Sequence, residues 1–103
     1  MDFKLDQRLE KDTFLIGELP LSRVLLMNVS NFPWAILVPK ISGVSELFEL
    51  DSKQQIAYQA ECNYISRHMS EIFGAHKMNV ASLGNLVPQL HTCLLYTSDA
   101  ADE

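Results

Sequence analysis

Polar and apolar positions alternate in two rhythms along this chain. Leu5 to Lys11 is a short charged amphipathic segment, suited to a helical turn or two. Thr13-Phe14-Leu15-Ile16-Gly17 predicts a first strand, and Glu18-Leu19-Pro20 breaks it, because proline donates no ladder hydrogen bond. Ser22 to Val29 is a second strand, largely apolar and therefore central. Ser30-Asn31-Phe32-Pro33 supplies turn residues, and Trp34 to Pro39 is a third strand closed by proline. So short a turn between two strands predicts an antiparallel hairpin.

The rhythm then changes. Val44, Leu47 and Leu50 are spaced for one helical turn against the sheet. From about Ser52 to Phe73, Tyr58, Cys62, Ile65, Met69 and Ile72 recur in steps of four and three, the stripe of a long amphipathic helix. Asp51 or Ser52 caps its start and Gly74 stops it. Lys77 to Ala81 reads as a fourth strand, Ser82 to Pro88 as a loop, and Gln89-Leu90-His91-Thr92 as the start of a fifth strand. The predicted fold is α+β: a five-stranded antiparallel meander with one long helix on one face.

Composition changes this picture little. The 103 residues are 48% hydrophobic and 20% charged, enough for one small domain. The net charge is −5; subtracting the three carboxylates of Asp99, Asp102 and Glu103 leaves −2. The body is nearly neutral, with no basic patch for a nucleic acid polymer. Cys62 and Cys93 have neither CxxC nor zinc-ligand spacing, which points to a reduced, cytoplasmic setting. The start of the chain lacks the apolar region of a signal peptide, and its apolar runs are too short to span a membrane.

Candidate chemistry gathers near the predicted fifth strand. Alternate strand residues share a face, so Gln89, His91 and Cys93 point one way while Leu90 and Thr92 point the other. Backbone N–H groups around Gly84-Asn85 come near that polar face. An imidazole beside backbone donors suits attack at phosphorus. By spacing alone, however, a single strand histidine is more often a structural or surface residue than a nucleophile. His68 and His76 read as structural or solvent-facing.

The residues from Asn79 through Gly84-Asn85 to Gln89-Leu90-His91 resemble a bacterial branch of the histidine triad (HIT) family. So do Arg23 to Asn28 and Phe32 to Lys40, and the likeness covers residues 3 to 92. The family signature is His-x-His-x-His, its first histidine commonly glutamine in this branch. The resemblance implies a nucleotidyl hydrolase or transferase, with (di)nucleotides such as diadenosine polyphosphates as substrates. His91 is then the nucleophile at the α-phosphate and Gln89 orients the phosphate or leaving group. Position 93, the third histidine in relatives, is Cys93 here, and Trp34 stands where many relatives have another histidine. The alternative is a non-catalytic nucleotide-binding module.

Other site residues follow from the same resemblance. Asn28 falls near the acidic residue that holds the ribose, or is a strand-end turn residue. Asn79 positions the catalytic strand, and Asn85 contacts phosphate. Met27, Phe32 and Trp34 line the base pocket or fill core. No metal or cofactor is implied, and family members are typically homodimers. From Cys93 onward the text resembles the translated read-through of a sequencing adapter. Residues 1–92 are therefore expected to be an incomplete HIT-like domain with a truncated fifth strand, and 93–103 a non-native tail; a further alternative is that the truncated fragment is inactive.

Overall fold

Where β-branched and large apolar residues dominate, the chain is extended; where they recur every third or fourth position, it coils. The computed structural model describes residues 2–29, 33–84 and 86–97. Helix α1 (Gln7–Asp12) leads into strands β1 (Thr13–Glu18), β2 (Ser22–Met27) and β3 (Trp34–Pro39). A 3-10 turn (Leu47–Glu49) precedes helix α2 (Ser52–Phe73), followed by β4 (Lys77–Ala81) and β5 (Thr92–Thr97).

The sheet order is β1-β2-β3-β5-β4, antiparallel throughout. The first three strands form a simple meander. Helix α2 then carries the chain to the far edge, where β4 is laid down, and β5 returns between β4 and β3. Reciprocal capping fixes the start of α2: Asp51 accepts from the Gln54 N–H at 2.8 Å, and the Gln54 side chain accepts from the Asp51 N–H at 2.9 Å. Gly74 ends it in the left-handed region, at φ 59°, which glycine enters without steric cost.

The helix stripe is buried at Tyr58, Cys62 and Met69 but runs out at Ile72, which is 71% exposed. It packs with Val24, Ala35, Leu37, Leu90 and Leu94 on one face of the sheet. The opposite face is covered as well. There Leu5 and Leu9, from the N-terminal segment, meet Leu25, Ile36, Val38 and Cys93. Two covered faces explain why β2 and β3 carry apolar residues at nearly every position. The Tyr58 hydroxyl, buried at the helix–sheet seam, lies 3.0 Å from the Leu37 carbonyl and 2.6 Å from Thr92 Oγ1, tying α2 to β3 and β5.

The fifth strand begins three residues later than the sequence suggests. In the register Leu37↔Thr92, the ladder would next set Leu90 near Pro39, which has no N–H. The Leu90 N–H instead donates to the Val44 carbonyl at 2.9 Å. The ladder therefore opens at Thr92 and runs through residues 93–97, which pair with both β3 and β4. β2 stops at Met27, where its partner strand β1 gives way to α1; the Asn28 N–H still donates to the Asp12 carbonyl at 2.9 Å, one step along the same register.

Candidate functional site

Leaving the ladder early gives residues 86–91 freedom to make other contacts. The alternation of faces survives: Leu90 and Leu94 join the helix-side core, while His91 and Cys93 lie on the opposite side. His91 is buried yet lines two clefts at once. The first, about 370 Å³, is mostly apolar and includes Met27, Trp34, Ile36, Val87 and Cys93. The second, about 350 Å³, is more polar and includes Ser45, Glu46, Ser82, Gly84 and Gln89.

One contact fixes the chemistry of the imidazole. His91 Nδ1 lies 2.7 Å from the Gln89 carbonyl oxygen, which can only accept. Nδ1 therefore carries the proton, and in the neutral ring Nε2 holds the lone pair. A ring held this way can use Nε2 as a nucleophile, while the carbonyl stabilises positive charge developing at Nδ1–H.

The Gln89 side chain points its chemistry elsewhere. Its Oε1 accepts from the Asp6 N–H at 2.8 Å, and its Nε2 donates to the Lys4 carbonyl at 2.8 Å. Arg8 adds a second tie, donating from Nη1 to the Leu86 carbonyl at 2.6 Å. Hydrogen bonds from the Arg8 side chain hold the Asp6 carboxyl below the usual carboxylate range. The N-terminal segment is thus clasped to the loop that carries His91. Gln89→Glu removes the donor to Lys4 and sets a carboxylate oxygen against that carbonyl. The expected cost is about 1 kcal/mol, a fall of about 4–8 °C in Tm. Thermal unfolding checks it; an unchanged Tm contradicts the clasp.

Position 93 does not behave as an acid–base group. Burial pushes the Cys93 thiol up, and a hydrogen bond with the Trp34 side chain offsets part of that. Cys62, on the buried face of α2, is pushed up to about 11 by burial. Neither thiol has the electropositive surroundings of a reactive cysteine. Among the described residues, no group of three or more His, Cys, Asp or Glu side chains could hold a metal ion. No helix among them is long and apolar enough to cross a membrane.

Of the residues singled out in the sequence, His91, Met27 and Trp34 meet in the apolar cleft, and Gln89 joins His91 in the polar one. Asn28 is exposed and lines neither. Asn79 lies on edge strand β4 opposite Leu95, also outside both clefts. Phe32 and Asn85 lie outside the described residues. His68 is exposed, with Nδ1 2.9 Å from the Tyr64 carbonyl, and His76 is exposed too. Sequence reasoning missed Arg8, Leu9, Asp12 and Thr13, which wall the apolar cleft from α1. Their spacing of one helical turn was the available signal.

Comparisons with known proteins agree with this geometry. The chain matches the HIT domain model over residues 8–98. Its structure is similar to a histidine triad protein from Bradyrhizobium japonicum, with 41% identity over 97% of this chain and 75% of that one, at TM-score 0.94. A histidine triad protein from Marinobacter aquaeolei VT8 has 46% identity over 97% and 75%, at TM-score 0.92. One from Sinorhizobium meliloti 1021 has 39% identity over 95% and 73%, at TM-score 0.93. No curated protein matches the chain.

Proposed function

Because the chain belongs to the HIT family, we propose that it is a nucleotidyl hydrolase or transferase working through a nucleotidyl-histidine intermediate on His91. The observation that carries this is the 2.7 Å contact from His91 Nδ1 to the Gln89 carbonyl, which leaves Nε2 as the nucleophilic atom in a residue shared by two clefts. The apolar cleft, with Met27 and Trp34, takes the base, and the polar cleft takes the leaving group.

In the first step the Nε2 lone pair forms a bond to the α-phosphorus. The bond from phosphorus to the leaving group breaks, and its electron pair departs with that group. In the second step water or another acceptor attacks phosphorus. The P–N bond breaks, its pair returns to Nε2, and the acceptor's proton passes to solvent. Gln89 supports both steps through its carbonyl, and Asn85 contributes to holding the phosphate.

A second reading is favoured by two observations. The Gln89 amide is engaged at both ends by the N-terminal backbone, and position 93 is a buried thiol paired with Trp34. Both fit a nucleotide-binding module without turnover. Calorimetry with AMP, beside a hydrolysis assay on a diadenosine polyphosphate, separates the two. Binding with turnover supports the enzyme, and binding alone supports the module.

The proposal extends to a homodimeric, cytoplasmic protein by family resemblance. It also keeps the text from Cys93 onward as foreign, completing the ladder because its apolar residues suit a central strand. Resequencing the source gene tests this: histidine at position 93 supports it, and an intact frame encoding Cys93 to Glu103 overturns it.

A further inference from the structure

Three hydroxyl groups run in a line from the polar cleft into the helix-side core. Ser82 Oγ lies 2.9 Å from Thr92 Oγ1, which lies 2.6 Å from the Tyr58 hydroxyl. Tyr58 in turn donates to the Leu37 carbonyl at 3.0 Å. The far end sets the direction of every link. A carbonyl only accepts, so Tyr58 spends its one proton there. The proton between Tyr58 and Thr92 then comes from Thr92, and the one between Thr92 and Ser82 comes from Ser82. The buried, neutral Cys62 thiol bonds Tyr58 and Thr92 and closes the inner end of the network.

That direction matters at the outer end. Ser82 is exposed and lines the polar cleft together with His91, the residue just before Thr92. With its proton turned inward, its oxygen offers the cleft lone pairs only. Other polar side chains on this wall are committed. The Ser45 hydroxyl donates to Glu49 Oε1 at 3.2 Å, and the Gln89 amide is engaged at both ends. The line also ends on a carbonyl, which does not ionise, so it cannot carry a proton away. It can orient a donor in the cleft without deprotonating it.

We propose that Ser82 positions the attacking acceptor in the second step. Its oxygen accepts one O–H of a water or alcohol whose lone pair is aimed at phosphorus. This rests on the nucleotidyl-histidine reading above. The acceptor's oxygen bonds to phosphorus, and the P–N bond breaks with its pair returning to Nε2. The acceptor's proton goes to solvent, and Ser82 keeps its own. Thr92 and Tyr58 are positioning residues that act through Ser82. The first step gains little from the same oxygen, because a departing polyphosphate brings acceptor oxygens only.

Rapid-quench measurement of the nucleotide bound to His91, during a single turnover of a diadenosine polyphosphate, tests this in the 103-residue chain. Ser82→Ala is expected to prolong the adduct about fivefold, the worth of one neutral hydrogen bond, while its formation stays within about twofold of the unaltered rate. Ser82→Thr, which keeps the hydroxyl, should restore the short lifetime. Tyr58→Phe should prolong the adduct by itself but add nothing to Ser82→Ala, whereas a purely structural Tyr58 would act alike in both backgrounds. A lifetime unchanged by Ser82→Ala, equal slowing of both steps, or prolongation only in Glu46→Gln overturns the assignment. Absence of any adduct in the unaltered protein overturns the nucleotidyl-histidine reading itself, and the role of Ser82 with it.

Discussion

His91→Ala is expected to lower nucleotidyl transfer by at least about 10³-fold, about 4 kcal/mol of barrier at 1.36 kcal/mol per tenfold. The reason is geometric. In the proposed reaction this residue supplies the lone pair that attacks phosphorus, and among the described residues no other imidazole lines either cleft: His68 and His76 are exposed elsewhere. AMP binding should change far less, because Met27 and Trp34, which also line the apolar cleft proposed for the base, are untouched. Steady-state kinetics beside calorimetry reads the difference. A parallel loss of binding and turnover would point to collapse of the cleft, and unchanged turnover would remove His91 from the chemistry.

Leu94→Ala is the largest expected change in stability. Leu94 is fully buried in the middle of β5, opposite Ala35 on β3 and Val80 on β4, and packs into the helix-side core. Truncating a fully buried leucine costs about 2–5 kcal/mol, because transfer energy is lost and a cavity remains. For a domain this small that is much of the total stability. Chemical denaturation should show the midpoint falling with little change in slope. A midpoint unmoved by the substitution would mean that residues 93–97 do not complete the sheet.

Much of this arrangement is legible in the sequence, for identifiable reasons. The bounds of α2 and β3 follow from strong local signals: a reciprocal cap at Asp51, a left-handed Gly74, and a six-residue apolar run ended by Pro39. The start of β5 was not legible. It depends on which residue of β3 faces Leu90, and the missing donor at Pro39 matters only once the register is known. The facing of His91 was recoverable despite that, because Leu90 is drawn into the helix-side core and alternation does the rest.

The candidate site divides in the same way. His91, Met27 and Trp34 share a cleft because each is fixed by strand period and burial. The role of α1 was hidden, because Gln89 and Asp6 lie 83 residues apart in the chain and only the fold brings them within 2.8 Å. Asn28 and Asn79 were named by resemblance, and the structure leaves both outside the clefts.

The central claim is a covalent bond between a nucleotide and His91 Nε2. Its most direct measurement is peptide mass spectrometry of the chain quenched during turnover of a diadenosine polyphosphate, under conditions that preserve P–N bonds. The expected result is a nucleotidyl group on the peptide carrying His91, absent in His91→Ala. Turnover with no such adduct, or an adduct that persists in His91→Ala, would contradict it.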